Sequence, residues 1–296
     1  MTDSAQPAQA RPDRAEMDRQ YNARETVPSF EAELARYQAE SDRVRRDIPH
    51  QRDIVYDPVS GETLDFYPAA PGSRLFIWIH GGYWRALSKD DNAFAVRGLH
   101  DRGFHVAVVD YTLVPNADLD EIVRQVRTAV AFLAQNRDRF RIGPRPLAVG
   151  GSSAGGHLVG MLLAGGWTDR FGIPGDTIGV GLALSGIHDL EPLRHSYVND
   201  FMQFDEASVD RNSPIRHIPA GSRATLLAAA GGDETAQFAR QTRAYVDAWR
   251  AAGNRAELVD MPGFHHFDIA LSLVDPDGTL ARAVDAALPD PAIRPG

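Results

Sequence analysis

A serine between glycines, directly after a short apolar run, is the first candidate for chemistry in this sequence. The stretch Gly151–Gly155 reads Gly-Ser-Ser-Ala-Gly and fits the pattern G-x-S-x-G with Ser153 at its centre. Centring the pattern on Ser152 would put Ala154 where the last glycine belongs. The apolar run Leu147–Val149 precedes the pattern and a helical run follows it, which is the context of a nucleophile elbow. Ser153 is therefore the predicted nucleophile, and a glycine-rich turn without chemistry is the alternative.

A second glycine motif, His-Gly-Gly-Tyr-Trp, ends an earlier apolar run, Leu75–Ile79. A serine that attacks a carbonyl carbon needs N–H donors aimed at the oxyanion that develops, and glycines let the backbone come that close. One donor is expected from the residue after the nucleophile and the others from this loop. The expected donors are the N–H groups of Gly81, Gly82, Tyr83 and Ala154. His80, which opens the motif, is expected to brace the loop by hydrogen bonding rather than to react.

A serine nucleophile also needs a base, and the base needs a carboxylate that orients it. On a parallel sheet that carries a nucleophile elbow, the expected chain order is serine, acid, histidine. Asp233 lies in Gly-Gly-Asp-Glu-Thr just after the apolar run Leu226–Ala230, and it is the predicted acid. It could instead be the N-cap of the helix that follows. The alternative acid is Glu234, and more remote ones are Asp189 and Asp260.

The candidate base comes from a pair of adjacent histidines, His265 and His266, which follow Met261–Pro262–Gly263. Adjacent side chains on such a turn point in different directions, so only one can be the base, and spacing alone leaves both open. Metal binding by the pair is the competing idea. Adjacent rings seldom reach one ion and no third ligand is evident, so neither a metal nor another cofactor is expected.

The composition limits the class of protein. Of 296 residues, 43% are hydrophobic and 24% are charged, as in ordinary globular proteins, which excludes a mostly disordered chain. The net charge is 31 − 40 = −9, and because an acidic surface repels phosphates, nucleic acid is not an expected partner. There are no cysteines, which excludes disulfides and thiolate catalysis.

No stretch of the sequence predicts a membrane segment. The longest apolar stretches, around Val159–Trp167 and Ile178–Leu184, fall well short of the ~20 residues that a membrane helix needs. The segment Met1–Arg24 carries charges throughout and lacks the apolar core of a signal peptide. The sequence therefore predicts a soluble, cytoplasmic protein without a membrane partner.

Short apolar runs alternate with helical patterns through most of the chain, which predicts an α/β fold with a mostly parallel sheet and helices on both faces. Ligands of such sheets bind beyond the carboxyl ends of the strands. The predicted organisation has five parts. They are a disordered tail at 1–13, a helical arm at 14–50, the α/β domain at 51–288 with a cap insertion at about 189–222, and a C-terminal tail at 289–296.

Several motifs together resemble one known family. The oxyanion-loop motif at 80–84, the elbow Gly-Gly-Ser-Ser-Ala-Gly-Gly-His and the stretch Ser185–Leu190 resemble the arylformamidase (kynurenine formamidase-like) branch of the α/β-hydrolases. Related carboxylesterases share the Tyr-Trp form of the oxyanion loop. Gln20–Asn22, Val198–Asp200 and Ser213–Pro214 also look familial, so the resemblance extends from about residue 17 to 275.

The resemblance implies an α/β-hydrolase fold and assigns roles to particular residues. In that family the catalytic histidine directly precedes a phenylalanine, which favours His266, and the pattern places the acid at Asp233 and the nucleophile at Ser153. The implied activity is that of a serine hydrolase that cleaves a small, formyl-type acyl group from an aryl amide or ester through an acyl-enzyme. The alternatives are a general short-chain carboxylesterase and, more remotely, a non-catalytic ligand-binding module on the same fold.

The expected partner is a small acyl amide or ester. Five aromatic residues could line its binding site, although any of them could instead belong to the core. They are Tyr83, Trp84, Tyr111, Tyr197 and Phe201. The helical arm could pack on its own domain or on a second copy, so a homodimer is one expected assembly.

Overall fold

An eight-stranded sheet is the centre of the structure, a computed structural model that describes residues 13–288. The two expected tails lie outside the described residues, apart from Asp13. The strands are Gln51–Val55 (β1), Thr63–Tyr67 (β2), Leu75–Ile79 (β3), His105–Val109 (β4), Leu147–Ser152 (β5), Ile178–Leu184 (β6), Thr225–Ala229 (β7) and Arg255–Leu258 (β8). Their order is β1-β2-β4-β3-β5-β6-β7-β8. β2 pairs antiparallel with β1 and β4, and all other pairs are parallel, which confirms the predicted sheet.

Helices cover both faces of this sheet. They are Arg14–Tyr21 (α1), Phe30–Asp47 (α2), Val96–Asp101 (α3), Leu119–Gln135 (α4), Arg137–Phe140 (α5), Ala154–Leu163 (α6), Asn199–Met202 (α7), Glu206–Asn212 (α8), Ala236–Ala251 (α9), Asp268–Leu271 (α10) and Thr279–Ala287 (α11). One core cluster packs α4, α6 and α9 on one face, and a second packs α2, α3 and α11 on the other. The central strands β3 and β4 are buried over their whole length, which explains why they are continuous apolar runs.

Short 3₁₀ helices fill the connections. They span Ala23–Thr26, Ala93–Ala95, Thr168–Phe171, Glu191–His195, Pro214–Arg216 and Ser272–Val274. Two of them, with α7 and α8, occupy the interval between β6 and β7 in which the sequence predicts a cap insertion. No helix within residues 13–288 is long and apolar enough to cross a membrane.

The N-terminal arm packs against its own chain. Tyr21 at the end of α1 is fully buried, and the neighbouring Gln20 carbonyl accepts a hydrogen bond from Thr235 Oγ1 at 2.5 Å. In α2, Tyr37 donates its hydroxyl to the carbonyl of Phe267 at 2.7 Å. These contacts hold the arm over the carboxyl ends of the parallel strands. The expected homodimer stays a prediction.

The elbow at the end of β5 lies in direct contact with the end of β3. A Cβ atom added to Gly155, in the first turn of α6, would lie only 2.1 Å from the carbonyl oxygen of Ile79. A Cβ atom added to Gly151 would lie 2.5 Å from the backbone of Gly155. Both glycines are therefore required for the close approach of two backbone segments, and not for a turn conformation.

Gly155→Ala is expected to destabilise the protein by roughly 1–3 kcal/mol, because the added methyl group forces α6 away from β3. The matched control is Gly175→Ala, since Gly175 is exposed and its nearest neighbour would lie 3.9 Å from the new Cβ atom. The measurement is the free energy of unfolding in urea. Equal stabilities of the two variants would contradict this packing.

Candidate active site

Ser153 occupies a strained position between β5 and α6. Its backbone angles are φ 57° and ψ −116°, a combination that residues with a side chain rarely adopt. Its N–H donates to the carbonyl of Leu184 at the end of β6, at 2.8 Å. The turn thus places the serine at the carboxyl edge of the sheet, as the predicted nucleophile elbow requires.

A cavity of about 790 Å³ opens above Ser153, between the N-terminal arm and the loop after β3. His266 lines the same cavity, so the structure brings the predicted nucleophile and one of the two candidate bases to one site. The other lining residues come from five regions of the chain. They are Asn22, Ala23, Arg24, Phe30, Leu34 and Tyr37 from the arm; Gly81, Gly82, Tyr83, Arg85, Ala86, Leu87 and Asn92 after β3; Ser152; Tyr197, Asp200 and Phe201; and Phe267.

The carboxylate that faces His266 belongs to Glu234. Its Oε2 lies 2.6 Å from His266 Nδ1, and its side chain is 1% exposed. The other oxygen, Oε1, accepts hydrogen bonds from Ser185 Oγ at 2.5 Å and from Gly231 N–H at 2.6 Å. Because three donors surround the buried carboxylate, its charge is compensated and its orientation is fixed.

This arrangement corrects the predicted acid, Asp233. Asp233 is exposed, and its backbone N–H donates to the carbonyl of Phe264 at 3.0 Å. The preceding Gly232 N–H donates to the carbonyl of Met261 at 2.9 Å. These bonds fix the turn so that Glu234 points inward and Asp233 outward. Glu234, the first alternative acid considered from the sequence, is the carboxylate that contacts His266.

The structure also separates the two adjacent histidines. His265 Nε2 lies 3.3 Å from Asp268 Oδ2 and 3.6 Å from Glu33 Oε1, and its backbone N–H donates to Asp268. His266, in contrast, is 6% exposed, lines the cavity and packs against the ring of Phe238, with 4.4 Å between ring centroids. Of the two histidines, only His266 lines the cavity.

Gly81 brings the loop after β3 against the elbow. A Cβ atom added to Gly81 would lie 2.8 Å from the carbonyl oxygen of Ser152 and 3.4 Å from Ser153 Cβ. The next residue, Gly82, has φ +103°, and a Cβ atom there would overlap the carbonyl oxygen of Ala86 at 2.1 Å. The loop backbone can therefore approach the serine only because both positions are glycine.

The N–H groups of this loop are available to a ligand. Within residues 13–288, those of Gly81, Gly82 and Tyr83 have no backbone carbonyl partner. Ala154 is the first residue of α6, where an N–H has no intrahelical acceptor. Gly81, Gly82 and Tyr83 line the cavity, and Ala154 directly follows Ser153 in the chain. His80 Nδ1 lies 2.8 Å from the carbonyl oxygen of Gly81, inside the loop and away from the cavity.

Three of the five candidate aromatic residues line the cavity, namely Tyr83, Tyr197 and Phe201. Trp84 and Tyr111 do not, which corrects their assignment to the binding site. Trp84 is fully buried beneath the loop, edge-on to His157 with 5.0 Å between ring centroids. Tyr111 is 3% exposed and stacks on His80 with 4.1 Å between ring centroids. Both are buried side chains that support the loop.

Two arginines at the cavity were not among the candidate residues. The guanidinium of Arg24 lies 4.3 Å from the ring centroid of Phe30, and that of Arg85 lies 4.3 Å from the ring centroid of Phe201. Neither forms an ion pair with another part of the chain between residues 13 and 288. A single sequence with abundant arginine offers no signal that would have singled them out.

Comparisons with known proteins place this site in a family. Residues 64–172 match the family model BD-FAE. Kynurenine formamidase of Danio rerio is 30% identical over 280 residues, which cover 90% of this chain and 94% of that protein. The chain belongs to the kynurenine formamidase-like family of α/β-hydrolases. Its resemblance to arylformamidases, inferred from the motifs, is thereby confirmed.

This hydrolase also has relatives among esterases. Esterase LipC of Mycobacterium tuberculosis is 27% identical over 246 residues, which cover 74% of this chain and 60% of that protein. The crystal structure of a candidate thioesterase from Silicibacter sp. TM1040 superimposes with a TM-score of 0.80 at 25% identity, over 91% of this chain and 98% of that one. The α/β-hydrolase fold and the arylformamidase-like hydrolase class are therefore established.

Glu234→Ala is expected to lower kcat/KM by about 10³- to 10⁴-fold, because His266 loses the carboxylate that fixes its tautomer and orientation. The matched control is Asp233→Ala, which removes an exposed carboxylate one residue away and is expected to stay within about twofold of the wild type. Steady-state kinetics on any cleaved substrate makes the comparison. If Asp233→Ala were the more damaging change, the pairing described here would be wrong.

Proposed function

We propose that Ser153, His266 and Glu234 form a catalytic triad that removes a formyl group from an aryl formamide. The observation that carries the proposal is the short Glu234–His266 contact at the cavity that contains the strained Ser153. A serine hydroxyl becomes an effective nucleophile when a neighbouring imidazole accepts its proton. A carboxylate on the other ring nitrogen keeps the imidazole in the tautomer that can do so.

The reaction proceeds in two halves. Ser153 Oγ attacks the formyl carbon while His266 Nε2 takes the serine proton, and the oxyanion binds the N–H groups of the loop and of Ala154. His266 then protonates the aryl nitrogen, the carbon–nitrogen bond breaks, and the arylamine leaves a formyl ester on Ser153. Water, deprotonated by His266, attacks this ester; the bond between the formyl carbon and Ser153 Oγ breaks, His266 returns the proton to Oγ, and formate leaves. Each oxyanion donor is expected to stabilise the transition state by about 3 kcal/mol.

The aryl part of the substrate has a matching surface in the cavity. Tyr83, Tyr197 and Phe201 offer aromatic faces, and the rings of Tyr83 and Tyr197 meet edge-on with 6.2 Å between centroids. Tyr83 donates its hydroxyl to the carbonyl of Tyr21 at 2.5 Å, which fixes that ring against the arm. An aryl ring can pack on these faces while its formyl group reaches Ser153.

The rim of the cavity favours a substrate that carries a carboxylate group. Arg24 and Arg85 are exposed, and each guanidinium is held over an aromatic ring. The carboxylate at this rim, Asp200, already pairs with Arg14 at 2.7 Å. The two arginines therefore remain available for a substrate carboxylate, which a guanidinium binds with two parallel hydrogen bonds. N-formylkynurenine combines an aryl formamide with a carboxylate, and we propose it as the substrate.

The decisive assay compares kcat/KM for N-formylkynurenine, p-nitrophenyl acetate and p-nitrophenyl butyrate. The formamide is expected to be preferred by several orders of magnitude, and Ser153→Ala is expected to abolish turnover and labelling by a fluorophosphonate probe. A preference for the esters would instead support the general carboxylesterase that the esterase relatives suggest. Labelling that persists in Ser153→Ala, or no turnover of any substrate, would contradict the proposed triad.

Arg24→Gln and Arg85→Gln are each expected to lower kcat/KM for N-formylkynurenine by about 10-fold or more, since a hydrogen bond to a charged group contributes about 1.5–3 kcal/mol. Formanilide has the same reactive group and no carboxylate, and both variants are expected to cleave it at nearly the wild-type rate. Arg243→Gln, at an exposed arginine of α9 outside the cavity, is the matched control. An equal loss of kcat/KM on both substrates would show that the arginines do not bind the carboxylate.

A further inference from the structure

The loop that supplies the proposed oxyanion donors holds an unfavourable backbone conformation. Between β3 and Lys89, three residues with side chains have positive φ, namely Tyr83 at 50°, Trp84 at 57° and Leu87 at 69°. Such conformations persist only where the surrounding structure fixes them by other contacts. The contacts at the two ends of the loop therefore decide whether its N–H groups stay aimed at Ser153.

Aromatic stacking holds the first end of the loop. The ring of His80 lies on that of Tyr111 at an interplanar angle of 9°, and Tyr111 donates its hydroxyl to the carbonyl of His80 at 3.1 Å. Burial lowers the pKa of His80 to about 4, so the ring is neutral at physiological pH. The His80 ring itself therefore contributes no charge at this end of the loop.

A buried ammonium group holds the second end. Lys89 is 4% exposed, and its Nζ lies 2.7 Å from Asp53 Oδ1 and 3.2 Å from Asp65 Oδ1. Its backbone N–H donates to Asp110 Oδ1 at 2.5 Å. Asp53 lies in β1, Asp65 in β2, and Asp110 directly after β4. One residue thus ties the end of the loop to three segments of the sheet.

The choice of lysine at position 89 is unusual for this chain. Lys89 is the one lysine among 31 lysine and arginine residues. An ammonium is a compact charge with donors in several directions, whereas a guanidinium is a larger planar fork. The Asp53 side chain is 63% exposed and closes the outer side of the site only in part, whereas Asp65 on the inner side is 2% exposed. A compact cation fits between these carboxylates, and its removal would leave the buried Asp65 with only the half-exposed Arg52, 3.8 Å away, as counter-charge.

We propose that Lys89 is a positioning residue for catalysis, which holds the oxyanion loop in its active conformation through Asp53, Asp65 and Asp110. This inference rests on the proposed serine hydrolase function. Lys89 is not among the residues that line the cavity, so it acts through the loop and not on the substrate. The loop donors act on the oxyanion of the transition state, and therefore loss of the anchor affects kcat more than KM.

The test is the kinetics of Lys89→Met with N-formylkynurenine or, if esters prove to be better substrates, p-nitrophenyl acetate. We expect kcat to fall by about 10- to 100-fold with KM nearly unchanged, which is at most the effect of losing an oxyanion donor. The affinity for phenylboronic acid, which forms a tetrahedral adduct with an active serine, is expected to fall in parallel with kcat.

The matched control is Arg74→Met, at the opposite end of β3. Arg74 is also a buried cation, 7% exposed, and it pairs with Asp285 at 2.7 Å, so its loss destabilises the fold without touching the loop. A second variant, Lys89→Met with Asp65→Asn, removes the charge of the buried Asp65 carboxylate as well. This double variant is expected to regain thermal stability and to keep the low kcat, which separates positioning from folding.

The proposal is overturned if Lys89→Met and Arg74→Met have the same kcat. It is also overturned if the double variant recovers kcat together with thermal stability. Failure of the underlying function would look different. It would appear in the wild type, as turnover that Ser153→Ala does not abolish or as no turnover at all, before any variant of Lys89 is compared.

Discussion

The buried carboxylate of Glu234 joins three parts of the chain at the candidate active site. Its oxygens bind Ser185 at the end of β6, the N–H of Gly231 just after β7, and His266 in the turn beyond β8. A charged group can be buried at this depth only when its hydrogen bonds are satisfied, so the three loops are held in one mutual arrangement. The orientation of the imidazole toward the cavity follows from that arrangement.

The other half of the site depends on close backbone packing. Gly155 lets α6 begin directly against the end of β3, and Gly81 lets the following loop return to the side of Ser153. The serine and the free N–H groups are thereby set on neighbouring strands, β5 and β3, which pair in register from Phe76 with Ala148 to Ile79 with Gly151. In the proposed mechanism, preorganised donors of this kind need no reorganisation when the oxyanion forms.

Much of the fold and of the candidate site could be predicted from the sequence, because glycine motifs indicate tight backbone packing and apolar runs indicate buried strands. The motif around Ser153 and the loop at Gly81 were recognisable for that reason. The choice between Asp233 and Glu234 was not, since it depends on tertiary hydrogen bonds from their turn to a segment about 30 residues away. The burial of Trp84 and the exposure of Arg85, one residue apart, likewise follow from a left-handed turn that no local pattern reveals.

The site depends most on the contact between Glu234 and His266, and proton NMR tests this contact most directly. A one-dimensional spectrum in water is expected to contain a strongly deshielded N–H signal from His266 Nδ1, as a short hydrogen bond to a buried carboxylate produces. We expect this signal to be present in the wild type and in Asp233→Ala and absent in Glu234→Ala. A signal that survives loss of Glu234, or vanishes with Asp233, would contradict it.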